Sequence, residues 1–89
     1  MTSGTVIQKE QIPDYKIIPA FVDKSEYWEK EMQYAVRLGN EFKGKTTITF
    51  ETTQGPRSVT TTVWSVTNHF IQLKGGLAIP LNSVIDVHF

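Results

Sequence analysis

Ser58-Val59-Thr60-Thr61-Thr62-Val63-Trp64-Ser65-Val66-Thr67 is the stretch on which the fold turns. Val59, Thr61 and Val63 keep the period of two that one face of a β-strand requires, and Trp64 and Val66 then fall on the other parity. A change of phase inside a long strand predicts a bulge or sharp bend, the device that rolls a sheet up. Upstream, residues 46–52 alternate too, with Ile48 and Phe50 on one face and Thr47, Thr49 and Glu51 on the other. Gln54-Gly55-Pro56-Arg57 joins the two strands as a turn. Downstream, strands are predicted over 69–74, 77–79 and 84–89, the last with Ile85, Val87 and Phe89 inward. Gly75-Gly76 reads as a two-residue hairpin turn, where positive φ is needed. Leu81-Asn82-Ser83 reads as a single tight turn after Pro80.

Toward the N-terminus the period changes from two to that of a helix. Trp28, Met32, Ala35 and Leu38 or Gly39 recur three and four residues apart and predict one amphipathic helix over about residues 24–38. Asp23 is its expected N-cap, Glu26 completes a capping-box-like pair, and Gly39-Asn40 is the expected stop. Before it, Pro13 and Pro19 bracket Tyr15-Lys16-Ile17-Ile18 and favour extended backbone. With Phe21 and Val22 this run is too apolar to hang in water, so it is expected to lie across the core as a strap. Residues 1–14 read as a flexible or edge-pairing arm, with Val6-Ile7 the candidate pairing segment, and 15–89 as a single domain.

The predicted class is α+β, mainly β: an extended strap and one helix packed on a five-stranded, strongly bent antiparallel sheet. Five short strands with tight turns favour closure into a small barrel plugged by the helix, since closure removes free edges. A plain helix on an open sheet is the competing architecture. Were Trp64 to point inward, its replacement by Ala would cost about 3–5 kcal/mol.

The segment Leu77-Ala78-Ile79-Pro80-Leu81-Asn82-Ser83-Val84-Ile85-Asp86-Val87 resembles the closing strands of Sm-like and SH3-like small barrels. The order of a Tyr-x-x-Ile-Pro strap, a helix and five strands is similar to that of Rof-like inhibitors of the transcription terminator Rho. Val63-Trp64-Ser65-Val66-Thr67, with Ile71-Gln72-Leu73-Lys74-Gly75-Gly76 and Ile79-Pro80-Leu81, also resembles a string carried by a group of short bacterial proteins. The overlap covers about residues 15–87. The Rof-like resemblance implies a protein partner met through an acidic helix, where Glu26, Glu29 and Glu31 stand here among Lys24, Lys30 and Arg37. The Sm-like resemblance implies binding of RNA or single-stranded DNA.

Composition narrows the functions. The 89 residues carry nine basic and nine acidic side chains, so no whole-chain field draws in nucleic acid or anionic lipid. The split is uneven: five basic and seven acidic in residues 1–42, four basic and two acidic in 43–89. With no cysteine there is no disulfide, thiolate or Cys-type zinc chemistry. No apolar run reaches membrane-spanning length and the first ten residues lack a signal-peptide core, so a cytoplasmic location is the default expectation.

His69 and His88 have no second His or Cys at ligand spacing, and Ser58, Ser65 and Ser83 lack a nucleophile-elbow context. Neither a cofactor nor catalysis is expected. Glu26, Glu29, Lys30 and Arg37 form a candidate protein-contact face on the helix. Lys43, Lys45, Arg57 and Lys74, all at strand ends or turns, form a candidate nucleic-acid rim, with Phe70 and His69 as stacking surfaces alongside Phe42. The leading expectation is a non-enzymatic interaction module that binds a protein partner, or itself, through a strand edge or the helix face. A weak nucleic-acid-binding barrel is the alternative.

Overall fold

The computed structural model describes residues 5–42 and 44–88, with side chains described for all of these except 38–42. Lys43 and Phe89, and the side chains of Leu38 and Phe42, lie outside the described residues. In chain order the elements are β1 (Thr5–Val6), a 3-10 helix (Lys9–Asp14), α1 (Ser25–Phe42), β2 (Thr46–Thr52) and β3 (Gly55–Thr61). They continue with β4 (Val63–Val66), β5 (Phe70–Leu73), β6 (Ala78–Pro80), a 3-10 turn (Leu81–Ser83) and β7 (Val84–His88).

The change of phase near Trp64 divides the long predicted strand in two, with Thr62 alone between β3 and β4. β3 stays in one sheet, ordered β1-β3-β2-β7, and β4 enters a second, ordered β4-β5-β6. The 3-10 turn at Leu81–Ser83 makes a second corner, from β6 back into β7. Among the described residues there are thus seven strands in two sheets and no closed barrel, rather than five strands in one rolled ladder. Bends that pass a strand from one sheet to the next do here what continuous hydrogen bonding does in a closed ring.

Between the sheets lie Phe50, Ile48, Val59, Val63, Ile71, Leu73, Ile79, Leu81 and Val84. The helix brings its Trp28, Met32 and Ala35 stripe to this core and packs on β4 and the 3-10 turn. Ile7 and Ile12 join the same core, and β1 pairs in parallel with β3, Thr5 opposite Arg57 and Val6 opposite Ser58. Two of the buried threonines hydrogen-bond through their hydroxyls: the Thr49 and Ser58 hydroxyls, in register across β2 and β3, are 2.7 Å apart. The Thr52 hydroxyl donates to the Gly55 carbonyl at 2.6 Å, closing the β2–β3 turn.

Several local expectations change. Trp64 is 53% exposed, because a register shift between Val63 and Ser65 gives the inward place to Val63. A second shift near Thr49 and Phe50 leaves Ile85 without a partner in β2; it is half-buried, and Val84 fills the core position instead. The helix runs past Gly39-Asn40 to Phe42. One interior glycine costs only about 1 kcal/mol relative to Ala, which neighbouring turns can outweigh. The β5–β6 loop holds three residues rather than two, since Gln72 pairs with Ala78 and the Leu73 N–H donates to the Leu77 carbonyl at 2.7 Å. Gly75 and Gly76 supply its positive φ values of 96° and 86°.

Candidate functional site

The strap binds the end of β2, beyond the stretch paired with β7, by its backbone. Ile17 bridges to Thr52, the Ile18 N–H donates to the Glu51 carbonyl at 3.1 Å, and the Thr53 N–H donates to the Lys16 carbonyl at 3.0 Å. Farther on, the Ala20 N–H donates to the Asn82 carbonyl at 2.8 Å. Tyr15 and Ile17 pack on the core as expected. Phe21 and Val22 do not: Phe21 is wholly in water and Val22 largely so. The chain turns there toward Asp23, whose carboxylate accepts hydrogen bonds from the Ser25 N–H and the Ser25 hydroxyl. Those bonds hold the Asp23 pKa below its usual 3.8, so the group is ionised at neutral pH. The helix begins one residue later than a cap at Asp23 would place it, with the Trp28 N–H bonding to the Lys24 carbonyl.

Across from residues 17–19, the start of β5 is held rigidly. The Thr67 hydroxyl oxygen accepts the His69 and Phe70 N–H groups at 3.2 and 2.9 Å, and the Leu81 N–H donates to the His69 carbonyl at 2.8 Å. Phe70 lies on the outer face of the second sheet, paired with Pro80. Between strap and sheet opens a groove of 670 Å3 whose apolar lining is Ile17, Ile18, Pro19, Phe70, Pro80 and Leu81. Asp23, Ser25, Asn68, His69 and Asn82 supply its polar groups. A second hollow, of 310 Å3, is lined by Ala20, Phe21, Val22, Val84 and Ile85, with Lys24, Glu51 and Pro56.

The predicted rim is divided. Lys45 and Lys74 line one polar cleft. His69 and Phe70 belong to the apolar groove, with Phe70 and Lys74 separated by the length of β5, about 13 Å of extended chain. Arg57 is at neither place: it lies 5.3 Å over the Tyr15 ring and its Nη1 donates to the Pro56 carbonyl at 2.8 Å, so it clamps the strap. Lys43 is outside the described residues. On α1, Glu26, Glu29 and Lys30 line a shallow depression with Gln33, and Arg37 is exposed farther along.

Comparison of the chain with models of protein families, with curated proteins and with solved structures finds no match. Among the described residues no helix is long and apolar enough to cross a membrane, and no group of three or more His, Asp or Glu could hold a metal ion. Of the groove residues, sequence reading named only His69 and Phe70 as site residues; Ile17, Ile18 and Pro19, in the strap's apolar run, were marked as core cover. Their signal was the density of that run, with Tyr15, Ile17, Ile18, Phe21 and Val22 crowded into one short extended segment.

Proposed function

We propose that this domain is a non-enzymatic interaction module that takes an extended apolar segment of a partner protein into the groove between residues 17–19 and the β5–β6 hairpin. The observation that carries this reading is the placing of Phe70 and Phe21, 47% and 106% exposed, at the groove and at the hollow served by the same strap. Single exposed apolar residues are ordinary on a protein surface, but an exposed aromatic ring lining a concave apolar recess, here one at each of two recesses, marks a contact surface. Both recesses are open, which suits a chain segment better than a small enclosed ligand. The ionised Asp23 carboxylate and the Asn68 and Asn82 side chains offer acceptors for peptide N–H groups at the margin.

Selection from a displayed library of random peptides tests this. Apolar peptides are expected to enrich, and Phe70→Ala is expected to weaken them at least about tenfold, the loss typical of an aromatic anchor. Gln33→Ala, on the helix, is expected to leave binding unchanged. Absence of any enriched peptide, or equal binding by a folded Phe70→Ala variant, would overturn the reading. A concentration-dependent dimer that Phe70→Ala dissolves would make the partner a second copy of this chain.

A further inference from the structure

Three lysines from distant parts of the chain line one polar cleft of 210 Å3: Lys9, Lys45 and Lys74. Lys9 opens the first 3-10 helix, Lys45 precedes β2, and Lys74 follows β5. Backbone pairing brings them together. The Ile7 N–H donates to the Ser58 carbonyl at 2.8 Å, so the chain after β1 runs beside the last residues of β3. Thr46 pairs with Thr61, which places Lys45 at the same end. The Lys74 N–H donates to the Thr62 carbonyl at 3.0 Å, tying the β5–β6 loop to the corner between the sheets. Lys9 reaches over that loop, its Nζ 3.6 Å from where a Cβ on Gly75 would stand.

Among the described residues Glu10 is the only acidic one lining the cleft, against three ammonium groups. Among the described residues none of the three lysines forms an ion pair. Like charges held at one recess repel each other, and Lys9 is half-buried, where water screens it less. A bound anion converts that repulsion into attraction. Ammonium groups are compact charges with three rotatable donors, suited to the oxygens of a phosphate, and the Thr62 hydroxyl adds a neutral donor.

We infer that this cleft binds a phosphate group. The same chemistry is carried by free phosphate and by a single-stranded nucleic-acid backbone, and the two are separated by experiment. The site is distinct from the apolar groove and does not depend on it.

Amide resonances of the folded 89-residue chain are followed during titration with inorganic phosphate, with chloride at matched ionic strength, and with an oligothymidine. Phosphate is expected to move the amides of Thr62, Lys74, Gly75 and Gly76, and chloride is not. Replacing Lys9, Lys45 and Lys74 together by Ala is expected to abolish the shifts. Lys45→Gln with Lys74→Gln changes only exposed side chains; it is expected to weaken binding at least about tenfold and serves if Lys9→Ala disturbs the fold. Oligothymidine binding tighter than inorganic phosphate, and falling steeply with salt, assigns the site to a nucleic-acid backbone. Binding no tighter than that of inorganic phosphate assigns it to small phosphates. No phosphate-specific shift, or shifts that persist in folded variants lacking the lysines, would overturn the inference.

Discussion

Phe50 and Trp64 are both aromatic, both on strands and both in alternating runs, yet Phe50 is fully enclosed and Trp64 stands half in water. Their energies should differ accordingly. Phe50→Ala removes a ring from the close-packed centre and is expected to cost about 3–5 kcal/mol, read as a lower urea midpoint. Trp64→Ala is expected to cost about 1 kcal/mol or less. Equal losses would mean that the shift between Val63 and Ser65 is absent and that Trp64 points inward. Alternation made Phe50 readable, because its neighbours Thr49 and Glu51 hold a constant phase. At Trp64 the phase change announced a bend without saying which of two adjacent apolar residues turns in. Pairing with Leu73 decides for Val63, and that pairing is a property of the partner strand.

At the scale of elements, the helix shows how a start signal survives while its boundary moves. Asp23 serves the first turn through Ser25, from two positions before the helix's first residue. Because the carboxyl pKa is depressed in the folded chain, the ionised form stabilises the helix start above the usual 3.8, and the contribution disappears as pH falls through the lowered value. The Ser25 amide resonance is therefore expected to titrate with a midpoint below 3.8, and Asp23→Asn to remove that titration. A midpoint at or above the ordinary aspartate value would detach Asp23 from the helix start. The apolar stripe from Trp28 to Ala35 was legible because its spacing repeats. The end of the helix was not, since Gly39-Asn40 permits a stop but does not impose one. The β5–β6 hairpin behaves alike: its glycines fixed the site of the turn, while strand register fixed its length.

For the whole molecule, the N-terminal residues matter more than their polar composition suggests. Ile7 and Ile12 are buried with the residues of both sheets. A chain starting at residue 15 forfeits about 1.5–3 kcal/mol for each, against a typical net stability of about 5–15 kcal/mol. Its urea midpoint is expected to fall markedly; an unchanged midpoint would show that those isoleucines contribute nothing to the core. Pattern alone identified an α+β, mainly β domain with one main helix, but read as one bent five-stranded sheet what the break at Thr62 makes two sheets. The candidate sites were less legible still. Lys45 and Lys74 were visible as basic residues at turns, but Lys9 joins them only because β1 pairs with β3. The apolar groove arises where a strap that satisfies its backbone on β2 runs past a hairpin whose outer face keeps Phe70.

The direction of β1 carries one more consequence. β1 runs parallel to β3, and both β3 and β7 are antiparallel to β2, so β1 and β7 point the same way along the sheet. Thr5, level with Phe50, and His88, level with Thr47, therefore lead out of the sheet in opposite senses. Tension applied at these two residues slides the strands past one another and loads many rungs at once, instead of peeling them singly. Along the chain between β1 and β2 the force also meets the backbone bonds that tie the strap to Glu51, Thr53 and Asn82, so the strap and the β2–β7 seam are expected to share the load.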